Sequence, residues 1–269
     1  FSQNNAVSMV GYQVGADRTN GGREWKGEFG EVLAFSTKLS DLDRKKVQTY
    51  LSQKWNISIP SGSTSFVSSA KDSSGKNYHG ILKTRKAFNP TDINGLNLWL
   101  DASEPSTVFS DNTLTSLATS SVGGWKDKSG NNNHAIQSTS ANQPTITLSG
   151  IQFDGSNDGF NLTNDISEAN LNLFLVLQGY GYVFANNGTD RAVFLNSNQN
   201  LYWTFNSSTT FDNIAISAYS SSSSQLLEFS LNSGTAKLRL NGSEASSQGS
   251  VSGNFKIDRI GLKWDETTG

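Results

Sequence analysis

From Leu96 onward, apolar and polar residues alternate along most of the chain. A period of two is that of strands with one buried face. Leu96, Leu98 and Leu100 alternate with Asn97, Trp99 and Asp101, and the same rhythm returns at Leu201, Trp203 and Phe205 and at Leu227, Phe229 and Leu231. Ala236–Leu240 alternates too, and Asn241-Gly242 after it is the dipeptide a two-residue hairpin turn requires. Glu28–Phe35 is dense in apolar and aromatic residues and reads as a buried strand, and residues 171–177 read as a strand buried on both faces. One stretch alone has a helical period. Val47, Tyr50, Leu51 and Trp55 form a single stripe, Ser40 is placed to cap it with Asp43 three residues on, and Lys45, Lys46 and Lys54 suit its C-terminal turns. The pattern predicts two packed antiparallel sheets over 90–269 and one helix longer than two turns, within 39–56. Val47, Tyr50, Leu51 and Trp55 are expected to be buried against a sheet.

Residues 61–89 have few large apolar side chains and read as a linker between segment 1–60 and segment 90–269. Inside it, Lys71–His79 matches Lys126–His134 in the pattern K-D-x-S-G-x-N-x-H, with an isoleucine two positions later in each (Ile81, Ile136). This is an internal repeat of a strand-to-loop unit. The alternative is a chance likeness of two turns.

Composition narrows the class. Only 16% of residues are charged, against 25 glycines and an abundance of Ser, Thr and Asn, so the surface is polar but largely neutral. The net charge of −2, without a basic cluster in sequence, argues against a nucleic-acid partner. The longest aliphatic run, Leu173–Leu177, is too short to span a bilayer. Cysteine is absent, which removes disulfides, thiolate–zinc sites and thiol catalysis. A cysteine-free all-β chain fits bacterial surface and phage structural proteins better than eukaryotic secreted domains. Asn-x-Ser/Thr sequons at Asn56, Asn161, Asn187, Asn206 and Asn241 are expected by chance in so Asn-, Ser- and Thr-rich a chain.

Three stretches carry a family resemblance. Asn94–Ser103 resembles an opening strand. Trp125–Ala135 resembles the loop after it, with Gln143-Pro144 and Phe153–Asp158 as the following strand and turn. Gly27–Phe35, running into Leu39-Ser40-Asp41 and Tyr50-Leu51-x-x-Lys54-Trp55, resembles the last strand and terminal helix. The family is the laminin-G-like, concanavalin A-like jelly roll of bacterial and phage surface proteins. The resemblance implies an all-β antiparallel jelly-roll sandwich with one short terminal helix. The order is unusual, since the motif that ends the family's domain comes first here. Residues 1–60 therefore resemble the C-terminal part of one repeat, and 90–269 a second repeat lacking its last strand and helix. Ile260-Gly261 resembles Val10-Gly11, which favours tandem repeats, and the chain, which begins at Phe1, is expected to be cut in mid-domain at both ends. The competing expectation is that 1–60 completes 90–269, because sixty residues bury too little to fold alone.

Candidate chemistry is sparse. A retaining glycosidase needs two carboxylates about 5–5.5 Å apart on one face. Glu28 and Glu31, the nearest pair, are three apart on a strand and are expected on opposite faces. Both histidines, His79 and His134, fall in Asn/Ser/Gly loops, and no G-x-S-x-G elbow occurs. No catalytic residues are assigned. The resemblance implies a structural calcium site at Asp127, with loop carbonyls around Asn131 and with Glu31, although Gly30 stands where such members often carry Asp. The alternative is that Asp127 caps its own turn. For a glycan, Gly179-Tyr180-Gly181-Tyr182 offers the best candidate platform, with Tyr180 and Tyr182 as ligand-binding residues. The expectation is thus a non-enzymatic structural or adhesive repeat module of a phage virion appendage or bacterial surface protein. It is extracellular, assembles with other copies or repeats of itself, and has no cofactor. A carbohydrate-binding module of a secreted protein, meeting cell-surface glycan, is the alternative, and a glucanase a distant third.

Overall fold

The computed structural model describes residues 24–60, 69–70, 80–81, 88–185, 193–195, 200–206, 209–215, 219–248 and 253–261. The repeat copy at 71–79, with His79, and the strand at Val10 lie outside them. Among the described residues the chain forms one large, curled antiparallel sheet, a short two-stranded ladder of Ser69–Ala70 with Gly80–Ile81, and a single α-helix.

The sheet is organised by two long strands, β1 (Lys26–Phe35) and one over Leu171–Ala185. Between them in sequence come β2 (Leu96–Asp101), β3 (Ile151–Asp154) and β4 (Phe160–Glu168), so the long strand is β5. After it follow β6 (Val193–Leu195), β7 (Asn200–Asn206), β8 (Thr209–Ala215), β9 (Gln225–Asn232), β10 (Thr235–Leu240), β11 (Ser243–Gln248) and β12 (Phe255–Ile260). One edge of β1 pairs along its whole length with β5, from Lys26↔Tyr180 to Phe35↔Asn172. Its other edge is shared. Residues 26–29 pair with β3 and residues 31–35 with β2. Thus β1 is a central strand of the body formed by 90–261, and it comes from the same chain. From β5 the first arm continues through β9, β10 and β11.

The sequence pattern predicts two separate sheets, whereas the structure joins them through β5. Residues 171–177 of β5 belong to the first arm, and residues 181–185 pair with β6 and β12 in the second. The crossing falls at Gly179 and Gly181, both at positive φ (130° and 123°), where a Cβ would strike the backbone of Lys26 and of Glu24 respectively. Only glycine permits strands to approach so closely. Buried Tyr219 donates its hydroxyl to the Gly179 carbonyl at 2.5 Å and holds the bend from the other side.

The curl lets the two arms share one core. Phe29, Val32, Leu98, Leu173, Leu175 and Phe229 from the first arm meet Trp125, Phe160, Phe184, Ile257 and Ile260 from the second. A second cluster lies outside the first arm, where Leu33, Phe35, Phe174, Val176 and Leu226 are covered by Val47 and Leu51 of α1 (Asp41–Trp55). This is why residues 171–177 read as buried on both faces, and it extends the same burial to the outward side chains of 31–35. The helix begins as the sequence predicts: Asp43 N–H donates to Ser40 Oγ at 3.1 Å, and Ser40 Oγ donates to Asp43 Oδ2 at 2.7 Å. It ends at Asn56, in the left-handed conformation. The Asn241-Gly242 turn joins β10 to β11 with both residues at positive φ, and Asn241 Nδ2 is taken up by Gln225 Oε1 at 2.8 Å.

A bulge at Gly30 resets the face of β1. The register with β5 slips between Phe29 and Glu31, so Phe29, Val32 and Ala34 point to the inner core while Glu31, Leu33 and Phe35 point outward. Gly30 is also where β3 gives way to β2: Ala102 N–H donates to its carbonyl at 2.9 Å. The Trp55 ring lies over it, and a Cβ there would fall 2.9 Å from two ring carbons. An aspartate at this position would have no room beneath the indole. Gly30→Ala is expected to destabilise the domain by about 1–3 kcal/mol, as overpacking does, and urea titration of the variant measures it.

Candidate functional site

The densest polar arrangement is built where α1 crosses β1 and β2 on the outer face of the sheet. Glu31, wholly buried, is its centre. Trp99 Nε1 and Tyr50 Oη donate to Glu31 Oε1 at 2.8 and 2.9 Å, and Trp55 Nε1 donates to Oε2 at 2.7 Å. Lys54 Nζ lies 3.0 Å from Oε2 and 2.7 Å from Asp101 Oδ1. Asp101, directly opposite Glu31 in the ladder, also meets Lys128 Nζ at 2.7 Å, and that ammonium sits 3.9 Å above the Trp99 ring.

Two carboxylates thus face each other across one lysine, and their environments separate them. Burial pushes the Glu31 carboxyl above the usual range, and Asp101 beside it adds to that. Burial acts on Asp101 too, but hydrogen bonds from Lys128 and Lys54 outweigh it and hold that carboxyl low. Tyr50, desolvated and facing Glu31, has its hydroxyl pushed far up and stays a donor. The helix stripe explains itself here. Val47 and Leu51 are fully buried, whereas Tyr50 and Trp55 keep partly exposed edges because their polar ends reach inward to Glu31. Lys54 stands in the last helical turn as expected and also meets both carboxylates, whereas Lys45 and Lys46, expected in the C-terminal turns, fall in the first half of the helix.

The bulge corrects one sequence expectation. Glu28 pairs with Gln152 and Gln178 on the outer face, so it lies on the same side of β1 as Glu31 rather than opposite. The two acids serve different partners: Thr147 Oγ1 donates to Glu28 at 3.0 Å, and Glu31 lies under α1.

The residues suggested for calcium have other work. The Asp127 carboxylate accepts from Trp99 N at 2.8 Å, Ser129 N at 2.9 Å, Ser129 Oγ at 2.7 Å and Asn133 N at 3.0 Å. Both oxygens are occupied by turn and strand donors, so Asp127 caps its own loop and ties it to β2. Asn131 Nδ2 donates to the Leu96 carbonyl at 2.8 Å, and Asn133 Nδ2 to that of Asn97 at 2.7 Å. His134 closes the loop by accepting from Asp127 N at 3.1 Å, and burial keeps its imidazole below the usual range. Trp99 links this loop to Glu31, through its backbone N–H on one side and its indole on the other. Among the described residues no three His, Asp or Glu side chains converge in a metal-ligand group.

Of the proposed glycan platform, Tyr182 is fully buried and Tyr180 half-buried in the ladder opposite Lys26. The Gly179–Tyr182 segment is the bend of β5 rather than a loop, and Tyr182 presents no free ring face.

One further acid has a displaced titration. Asp158 ends the Phe153–Asp158 turn, where it accepts from Asp154 N at 2.9 Å, and burial pushes its carboxyl up to about 6. The folded state then binds a proton that the unfolded state has lost. Its contribution to stability is therefore present in acid and declines as pH rises from about 4 to about 6. Carboxyl-carbon NMR is expected to show Asp158 titrating near 6; a midpoint near 4 would contradict this.

No protein-family model, curated protein or solved structure matches this chain.

Proposed function

We propose that this domain is a non-enzymatic structural or adhesive module of an extracellular surface, of the kind carried by phage virion appendages and bacterial cell envelopes. One observation carries the reading. The buried carboxylates Glu31, Asp101 and Asp127 are filled with donors from three separated segments, α1, β2 and the 125–135 loop, so they serve as clamps that hold these to one another and to β1. A catalytic acid needs an approach for substrate, and Glu31 lies beneath Trp55, Tyr50 and Lys54. The neutral polar surface and the lack of cysteine support an extracellular or virion setting and assembly with further copies or repeats.

The finer fold reading is the concanavalin A-like jelly roll. It is supported by the way the resembling motifs meet, the Gly27–Phe35 strand lying beside the Leu96–Asp101 strand with the Asp127 loop fastened to it. On this reading residues 1–60 supply the last strand and helix that 90–269 lacks. A carbohydrate-binding module is the second reading, favoured by a cationic groove on the outer face.

Incubation with a panel of plant, bacterial and algal polysaccharides tests the main reading. The expected result is no release of reducing ends over days. Release that disappears in Glu28→Gln would replace the structural reading with a hydrolase.

A further inference from the structure

A groove of about 360 Å³ opens on the outer face of the first arm, between the start of α1 and the β9–β10 hairpin. Ligand pockets begin near this size, at about 300 Å³. Four cations line it, Lys38, Arg44, Lys237 and Arg239, with one carboxylate, Asp41. Asp41 is exposed and stands 3.5 Å from Arg44, a separation that gives little attraction in water.

Two further carboxylates border the groove and occupy two of the cations. Glu228, buried behind it, takes Arg239 Nη1 at 2.7 Å. Glu244 takes Lys237 Nζ at 2.9 Å and lies 3.6 Å from Arg239 Nη2. The other two cations are poorly served. Arg44 Nη1 comes no nearer than 3.7 Å to Glu228 Oε2, an oxygen that already accepts from Gln48 Nε2 at 2.6 Å, and the buried Arg44 Nε has no hydrogen-bond partner. Lys38 is exposed and, among the described residues, meets no carboxylate. Beside them stand the amide of Asn232, whose Oδ1 is also unpartnered, and the hydroxyls of Ser233 and Thr235.

We propose that this groove binds a carboxylate-bearing sugar of an acidic surface polysaccharide, an inference that rests on the adhesive form of the reading above. The planar Arg44 guanidinium matches a carboxylate, and Lys38 adds a mobile point charge. The flanking amide and hydroxyls suit sugar hydroxyls, which alternate as donors and acceptors. A long polyphosphate such as nucleic acid needs an extended basic surface, whereas this chain has a net charge of −2 and the groove offers four cations.

Isothermal titration at low salt with trigalacturonate, maltotriose and inorganic phosphate tests the proposal. Trigalacturonate is expected to bind, more weakly as salt is added, and maltotriose is expected not to. Lys38→Glu, at an exposed site that leaves the fold intact, is expected to weaken trigalacturonate binding at least about tenfold with an unchanged circular dichroism spectrum. Four results would overturn the assignment: no binding by the wild-type chain, equal binding of maltotriose, displacement of trigalacturonate by equimolar phosphate, or undiminished binding by Lys38→Glu. Each would leave the non-enzymatic reading standing, since only polysaccharide cleavage removes that.

Discussion

Glu31→Ala is expected to cost about 3–5 kcal/mol of stability, the loss that follows when one member of a buried ionic network is removed. The carboxylate is wholly buried and accepts from Tyr50, Trp55, Trp99 and Lys54. Without it, two indole N–H groups and a phenol have no acceptor in a place water does not reach, and Asp101 is left with lysines placed for two acids. Leaving buried donors unsatisfied costs more than the hydrogen bonds contribute when made. Glu31→Gln, which keeps the shape but offers one accepting oxygen and an NH₂ group facing donors, is expected to fall between wild type and alanine. Urea unfolding at constant m-value reads both losses. A loss under about 1 kcal/mol for Glu31→Ala would show that the network closes without its centre.

Deletion of residues 1–60 is expected to abolish soluble folding. It removes a central strand, leaving the β5 edge unpaired on one side and β2 and β3 without their neighbour. Among the fully buried side chains that leave with it are six of Val, Leu and Phe: Phe29, Val32, Leu33, Phe35, Val47 and Leu51. At roughly 1.5–3 kcal/mol for each such burial, their loss rivals the whole stability of a domain, about 5–15 kcal/mol. The outward-facing Phe174, Val176 and Leu226 would be uncovered as well, next to an open strand edge that invites aggregation. A peptide of residues 24–60 added in trans is expected to restore solubility and the strand signal in circular dichroism. A fragment of 61–269 that melts cooperatively on its own at the wild-type temperature would mean that the missing half belongs elsewhere.

What was legible in the sequence follows the range of the interactions involved. The helix is local: Ser40, Asp43 and the Val47–Leu51 stripe are enough to set it. The same holds for the Asn241-Gly242 hairpin and for the turn half of Asp127, which accepts from Ser129 two residues on. The other half of Asp127, its bond from Trp99 N–H, crosses twenty-eight residues and had no signal in the loop itself. The Gly30 bulge escaped because period-two reasoning assumes an unbroken ladder. One extra residue moved Glu28 to the other face and gave Glu31 to the helix. Gly179-Tyr180-Gly181-Tyr182 resembles a loop by composition, yet the glycines serve close strand approach, so the tyrosines fall in the ladder. Lys54 reads as a helix-end cation until its partners are known. Those partners lie on β1 and β2, which no spacing along α1 discloses. The cationic groove is likewise assembled from residues 38–44 and 172–239, far apart in sequence.

Strand β1 completes this body within its own chain. The absence of cysteine allows a direct test. Glu28 and Gln178 are direct partners in the β1–β5 ladder, both half-buried on the outer face. Cross-strand partners have Cβ atoms about 4.5–5.5 Å apart, close enough for a disulfide after a small adjustment. With both replaced by cysteine and the protein oxidised under native conditions at low concentration, a disulfide is expected inside the monomer, seen as faster migration on a non-reducing gel. Disulfide-linked dimers, or two thiols that stay reactive in the folded protein, would contradict it.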